Sequence, residues 1–399
     1  MAATELHDVG WDADPSVSWQ SFGTLDRHAT ADVCVVGLGG SGLAAIGDAI
    51  SRGLSVIGID AGRVAAGAAG RNGGFLLGGP AQTVHVAAAQ WGTEVVVDLY
   101  RHTIAEIDHL EMLLGDDVIR RVGSLRIAGL PGVDPDEQPG SNAAADAGSD
   151  AAAERADCDA QFDFMRAHDL PVQRYSGPLG TGLFFPRDAA MNPVRRAMGL
   201  AGLYGGTARL YQDTPATAIT SRTVQTPGGV ISAGSVIVAI DGRLETVLPQ
   251  LAGRVRTARL QMAATAPASI GAVPCPIYAN WGYDYLQQDG AGRIFAGGGR
   301  DRYVAAEWTD KSEPSKPVQD WIDGLIRRVV GPASPRVTHR WAASVGFTPD
   351  LRPVVAEVDD HVVACGGYCG TGNLMGPIAA RAAVALALDG ASPPQYFSS

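Results

Sequence analysis

At 399 residues the chain is longer than one ordinary hydrophobic core and implies two domains. A net charge of −11 with no long basic run argues against nucleic acid or an anionic membrane surface as a partner, and no stretch is apolar enough to span a bilayer. The five cysteines, of which only Cys365 and Cys369 are close, suggest neither a disulfide scaffold nor a metal site, and with no basic-then-apolar leader the expected location is a reducing cytoplasm.

In chain order, residues 1–29 are polar and read as an arm lying on the body, with Trp11 and Trp19 as its anchors. Residues 31–36 are a short apolar run ending in glycines, the pattern of a buried strand. Helical character follows over 41–52, then a second apolar run over 55–59 that ends at Asp60. Val97, Tyr100, Ile104, Ile107, Leu110 and Leu114 recur at steps of three and four and make one face of a helix over 93–114. Residues 131–156, rich in Pro, Gly, Ala, Asp and Ser, read as a surface loop or a weak helix, and a helix is expected over 152–168. A strand is expected over 235–240. Trp281, Tyr283 and Tyr285 alternate with period two, which predicts a strand with an aromatic face. Residues 293–297 form another short strand, 320–330 a helix, 361–365 a late strand and 377–388 a final helix.

The first three of these elements make strand, glycine turn, helix and strand. Gly37, Gly39 and Gly42 fit the G-x-G-x-x-G pattern, with Gly40 and Ser41 inside it. The first glycine permits a tight turn, the second lets a pyrophosphate approach the backbone, and the third lets helix pack on strand. Asp60 lies 18 residues beyond Gly42, where a carboxylate can accept hydrogen bonds from ribose hydroxyls. The pattern predicts a dinucleotide site. By itself it does not separate FAD from NAD.

Later segments narrow that choice. They are Ala68-Ala-Gly-Arg71-Asn72-Gly73-Gly74-Phe75, Met191-Asn192-Pro193, the run 213–219 around Ala216, the run 235–242 containing Ala239, Thr348-Pro-Asp350 and Gly366-Gly-Tyr368-Cys-Gly370-Thr-Gly372-Asn373-Leu374. In this order they resemble the D-amino acid oxidase superfamily of FAD enzymes, nearest to its γ-glutamylputrescine oxidase-like members. The resemblance spans roughly residues 30–390. It implies an α/β fold with a Rossmann-like FAD domain built from 30–85, 190–245 and 335–392. A second, α+β substrate domain with a mostly antiparallel sheet would come from 86–189 and 246–334. Gly37, Gly39, Gly40, Ser41, Gly42, Asp60 and Ala61 would hold the ADP portion, and Ala216 and Ala239 would lie along the nucleotide. Arg71, Asn72, Gly73 and Gly74 would line the flavin. Gly370, Gly372, Asn373 and Leu374 would close over its ring, with a helix start near Gly376 stabilising reduced-flavin charge.

Two departures from the family pattern matter. The position of the flavin-linking cysteine of some relatives falls near Ala343, and residues 67–74 contain no histidine, so non-covalent FAD is expected. Residues 342–347, where amino acid and glycine oxidases carry a carboxylate-clamping Arg, contain none. The activity the resemblance implies is oxidation of a primary or secondary amine. A hydride passes to flavin N5, the imine hydrolyses, and molecular oxygen as acceptor yields hydrogen peroxide. A flavin dehydrogenase with another acceptor, and a flavin-binding protein without turnover, stay open. An NAD-linked dehydrogenase is disfavoured by the late glycine loop. For the chemistry, aromatic walls desolvate an amine and attract its cation. Trp281 and Tyr283 are therefore candidates, with sheet packing as the competing reading. Tyr368 beside the late loop, and Trp341 with His339 before the 342–347 stretch, are the others. Arg300, after three glycines, would either guide an anionic substrate or be an ordinary surface residue.

Overall fold

The strand Ala29–Val36 is apolar without alternation at its end because both of its faces are covered: Val33, Cys34, Val35 and Val36 are all buried. It runs parallel to Val56–Ile59 on one side and to Gly229–Val238 on the other. A computed structural model describes residues 9–130, 143–331 and 333–398, the side chains of 143–150 excepted. The first sheet is ordered Ala218–Thr220, Thr223–Thr226, Gly229–Val238, Ala29–Val36, Val56–Ile59, Arg209–Tyr211. The late strand Val362–Gly366 joins it parallel to Gly229–Val238 and carries Val354–Asp359 antiparallel on its far side. The helices Gly40–Ser51 and Gly372–Asp389 pack on each other and on this sheet, and their first turns are close, a Cβ on Gly376 standing 2.5 Å from Ser41 Oγ.

A second sheet of eight strands runs Val337–Phe347, Arg256–Thr265, Ile294–Gly297, Asp284–Gln288, Ile277–Ala279, Ser124–Ile127, Gly180–Phe185, Gln173–Gly177. All its pairings are antiparallel except Ile277–Ala279 with Ser124–Ile127. The helix Lys316–Val330 covers part of it, burying Val318, Ile322, Leu325 and Ile326 at helical spacing. A small third sheet, Phe75–Leu76, Ala189–Met191 and Ile119–Arg120, joins the two. This is the expected α/β architecture with a mostly antiparallel second sheet. No helix among the described residues is long and apolar enough to cross a membrane.

Several local expectations are corrected. Asn280–Gly282 is a 3-10 turn in which Trp281 takes φ 50, and the strand begins only at Asp284. Gly282, also at positive φ, completes the turn that breaks the period-two pattern. The last helix starts at Gly372, one turn before the proline expected to open it. Pro377 deletes a single backbone hydrogen bond and is tolerated inside the helix. The helix expected over 152–168 begins earlier, as Ala143–Ala167, so of the two readings for 131–156, loop or weak helix, the helical one holds from residue 143. Residues 131–142 lie outside the described ones. Val337–Phe347 falls in the segment grouped with the nucleotide-binding part, yet pairs with Arg256–Thr265 in the second sheet. Of the two arm tryptophans, Trp11 is 1% exposed and Trp19 47%. The arm is pinned by the first.

Candidate functional site

The glycine turn after Ala29–Val36 is sterically determined. Gly37 has φ +108, and a Cβ there would stand 2.6 Å from the Ala239 carbonyl oxygen. Ala239 in turn donates its N–H to Val36 O at 2.8 Å, which binds the two strand ends together. A Cβ on Gly42 would overlap the Gly37 carbonyl. The helix Gly40–Ser51 then starts with no side-chain cap, and so does Gly372–Asp389. The first N–H groups of a helix have no partner within it, so two uncapped starts side by side form an anion-binding feature. Asp60 ends the neighbouring strand. It accepts from Leu38 N at 2.7 Å and Gly62 N at 2.9 Å, and burial raises its pKa. The segment bearing Ala216 runs alongside, with Thr214 N donating to Asp60 O at 2.7 Å, while Ala61 is exposed. A half-buried acid beside uncapped helix N-termini fits the ribose and diphosphate of FAD.

Asn72 and Asn373 brace the early and late loops against each other. Asn373 Nδ2 donates to Asn72 Oδ1 at 3.0 Å and to Phe75 O at 2.8 Å. Asn72 Oδ1 also accepts from Gly74 N at 2.8 Å. Arg71 turns inward instead, donating to Ala66 O at 2.8 Å and Ala342 O at 3.1 Å, and burial lowers its pKa. The Gly73 carbonyl accepts from Gln287 Nε2. Trp11 Nε1 reaches Asn72 O and Trp341 Nε1 reaches Arg71 O, both at 2.8 Å. The Trp11 ring stacks on Phe295, centroids 3.4 Å apart and planes within 1°. An arm residue and two residues of the second sheet therefore clamp the loop that carries Arg71 and Asn72.

In the late loop, Gly370 is exposed at φ +92, Gly372 and Asn373 open the helix, and Leu374 is buried. Tyr368 is 3% exposed and packs against Gly372 and Gly376. Its ring lies toward the helix pair. Its N–H donates at 2.8 Å to Asp241, which also accepts from Gly346 N at 3.2 Å, and burial pushes the Asp241 carboxyl up to about 6.

The substrate-side candidates are dispersed. Trp281 and Tyr283 are 41% and 39% exposed, whereas Tyr285 is turned in against Gly73 and Gly297 with its ring edge to Phe75. The three do not share a face. His339 is half-buried with Nδ1 2.8 Å from Thr338 Oγ1, and Trp341 is fully buried. Two arginines stand out, Arg300, which the sequence offers as an anion guide or a surface residue, and Arg196, which no motif singles out. Arg300 lies between Trp308 and Phe347, 4.7 and 4.2 Å from the ring centroids, with Tyr283 and Cys369 alongside. Arg196, in the helix Pro193–Tyr204, is 3% exposed and reaches the start of Gly40–Ser51. The Asn192-Pro193 cap predicts that a helix starts there, but not what it faces.

With this geometry in place, comparison with known proteins identifies the fold. A family model described as DAO, FAD dependent oxidoreductase, matches residues 32–386. Gamma-glutamylputrescine oxidoreductase of Escherichia coli (strain K12) is 25% identical over 401 residues, spanning 94% of this chain and 88% of the relative. A probable oxidoreductase, OrdL, of Rhizobium meliloti (strain 1021) is 25% identical over 400 residues, spanning 94% and 89%. Among solved structures, glycine oxidase from Geobacillus kaustophilus superposes with TM-score 0.69 at 17% identity, covering 90% of this chain and 95% of the other. L-proline dehydrogenase from P. horikoshii gives TM-score 0.69 at 15% identity, covering 92% and 95%. The chain belongs to this DAO family, and it is an FAD-dependent oxidoreductase.

Proposed function

We propose that the chain is an oxidase of a primary or secondary amine that bears a negatively charged group elsewhere in the molecule. The observation that carries this reading is Arg300, held between Trp308 and Phe347 next to Cys369 of the late loop. Phe347 ends the strand whose last residues lack the carboxylate-clamping Arg of amino acid oxidases. Arg300 brings a guanidinium to the end of that strand from a different turn of the chain. Burial lowers its pKa, yet an Arg stays charged throughout the working range. Because this cation comes from another place, the anion it meets need not be a carboxylate on the carbon that is oxidised. The named activity of the E. coli relative, on γ-glutamylputrescine, is consistent with such a substrate.

FAD supplies the hydride acceptor for oxidation of the carbon beside nitrogen. The protein's task is to present a neutral amine, and aromatic surroundings lower an amine's pKa by desolvation. Trp281 and Tyr283 form the exposed approach, and Trp308 and Phe347 the walls around Arg300. The imine then hydrolyses in water, and molecular oxygen is the proposed final acceptor. The FAD is proposed to be non-covalent, since Ala343 stands at the linking position and residues 67–74 hold no histidine. We place the domain boundaries as the sequence suggests, except that Val337–Phe347 goes with the substrate sheet.

The test is anaerobic mixing with polyamines, acylated polyamines, N-methyl amino acids and D-amino acids while following bleaching of the flavin band. Arg300→Leu should lower kcat/KM for an anion-bearing amine by roughly 10- to 100-fold, the scale of one charge-assisted contact, and leave an uncharged analogue nearly unaffected. Equal losses on both substrates would exclude Arg300 as the anion contact. Flavin that bleaches anaerobically but yields no peroxide in air would point to a dehydrogenase.

A further inference from the structure

Arg196 is a buried cation that, among the described residues, has no carboxylate of its own. Its Nη1 donates to Asn373 Oδ1 at 3.3 Å, while Nε and Nη2 have no hydrogen-bond partner. Its Nη2 lies 3.2 Å from where a Cβ on Gly40 would stand, so the guanidinium sits at the first residue of the helix Gly40–Ser51. Asn373 is the second residue of the helix Gly372–Asp389, so the same guanidinium also touches the other uncapped start. The charges that act on it are Glu106, which is bonded to Arg381, and Arg381 itself. Two guanidiniums thus share one carboxylate. The cluster keeps a net positive charge at a point where two helix macrodipoles present their positive ends.

Such an arrangement is unfavourable until an anion joins it, because a buried charge costs several kcal/mol without a partner. Gly40 lies in the glycine turn, where the chain approaches the diphosphate of its cofactor. We propose that Arg196 binds the diphosphate bridge of FAD, acting with the N–H groups of the two helix starts. Asn373 orients it from the flavin side, and Gly40 supplies the room for it. The contact involves cofactor binding only, and it stands or falls independently of the substrate reading.

The test uses the full chain carrying Arg196→Leu or Arg196→Lys, with FAD binding followed by flavin fluorescence and the flavin-free melting temperature followed by circular dichroism. Arg196→Leu should weaken FAD roughly 10- to 100-fold, the loss expected for a charge-assisted contact. Its flavin-free form should melt at or above the temperature of the unaltered chain, since an unpaired buried cation has been removed. Arg196→Lys should recover part of the affinity, as a point charge without the guanidinium fork. Raising the salt concentration should weaken FAD binding to the unaltered chain more than binding to Arg196→Leu. Unchanged FAD affinity in Arg196→Leu overturns the assignment. So does a loss of affinity that comes with a matching drop in flavin-free melting temperature, which is the signature of a merely structural residue.

Discussion

At the scale of single residues, legibility follows how local a residue's role is. Asp60 can be found by counting, because strand, turn and helix lengths place an acid at the end of the second strand. Arg196 cannot, and Arg300 is legible only as one of two readings, an anion guide or a surface residue, since each meets a segment more than forty residues away. Asp188 is a third case, hidden between two structural units. It accepts from Gly78 N at 2.9 Å and Ser124 Oγ at 2.6 Å, and burial pushes its carboxyl from 3.8 up to about 7. A raised pKa means the folded chain binds this proton more tightly than the unfolded one. The stabilisation is therefore full below about pH 4 and is lost as pH rises through about 7, at up to about 1.4 kcal/mol per pH unit. Asp188→Asn keeps an acceptor for Gly78 and gains a donor for Ser124 without a charge. Urea midpoints measured from about pH 5 to about pH 8 should shift progressively in favour of the variant. Parallel curves for the two chains would show that Asp188 does not carry that proton.

At the scale of elements, the strand-turn-helix-strand unit is the most legible part, because Gly42 answers to a steric demand made by Gly37 only five residues earlier, although Gly37 itself is also pressed by the distant Ala239 carbonyl. Gly42→Ala forces a Cβ into the Gly37 carbonyl, and neither backbone segment can move without parting the helix Gly40–Ser51 from its strand. The expected cost is on the order of 3 kcal/mol, with loss of bound flavin. Gly206→Ala, where no atom lies within 4 Å of the added carbon, is the matched control and should change little. Thermal melting of both variants checks this, and a Gly42→Ala chain that melts like the control would be incompatible with the geometry. The late helix is the instructive miss. Proline favours the first turn of a helix, so Pro377 suggests a start there. Tertiary packing against Gly40–Ser51 rewards an earlier start at Gly372 and outweighs the one missing bond.

At the scale of the whole molecule, the arm is a fastener between the two large sheets. Trp11 stacks on Phe295 of the second sheet and donates to Asn72 of the cofactor loop, while Asn192 donates to Trp11 O at 3.4 Å and Arg293 to Gly10 O at 3.2 Å. Trp11→Ala should cost about 3 kcal/mol or more, the usual range for emptying a buried tryptophan site. It should also speed flavin release, because the Asn72 carbonyl loses its donor. Circular dichroism melting and flavin fluorescence after dilution measure the two effects. An intact melting temperature would mean the arm rests on the surface without holding the sheets.

The sequence alone determined the dinucleotide turn and the acid that follows it, which depend on short-range sterics that a linear string records, while the two-sheet architecture and the flavin role of the late glycine loop were legible through the resemblance to a family. Only the tertiary structure decided that Trp281, Tyr283 and Tyr285 part company. Three residues at positive φ, Asn280, Trp281 and Gly282, turn the chain just before the strand, and the period-two pattern cannot show a turn of that kind. Only the tertiary structure brought Arg196 between two helix starts and Arg300 to the end of Val337–Phe347. What a buried guanidinium does depends on the charges around it, and those come from distant parts of the chain.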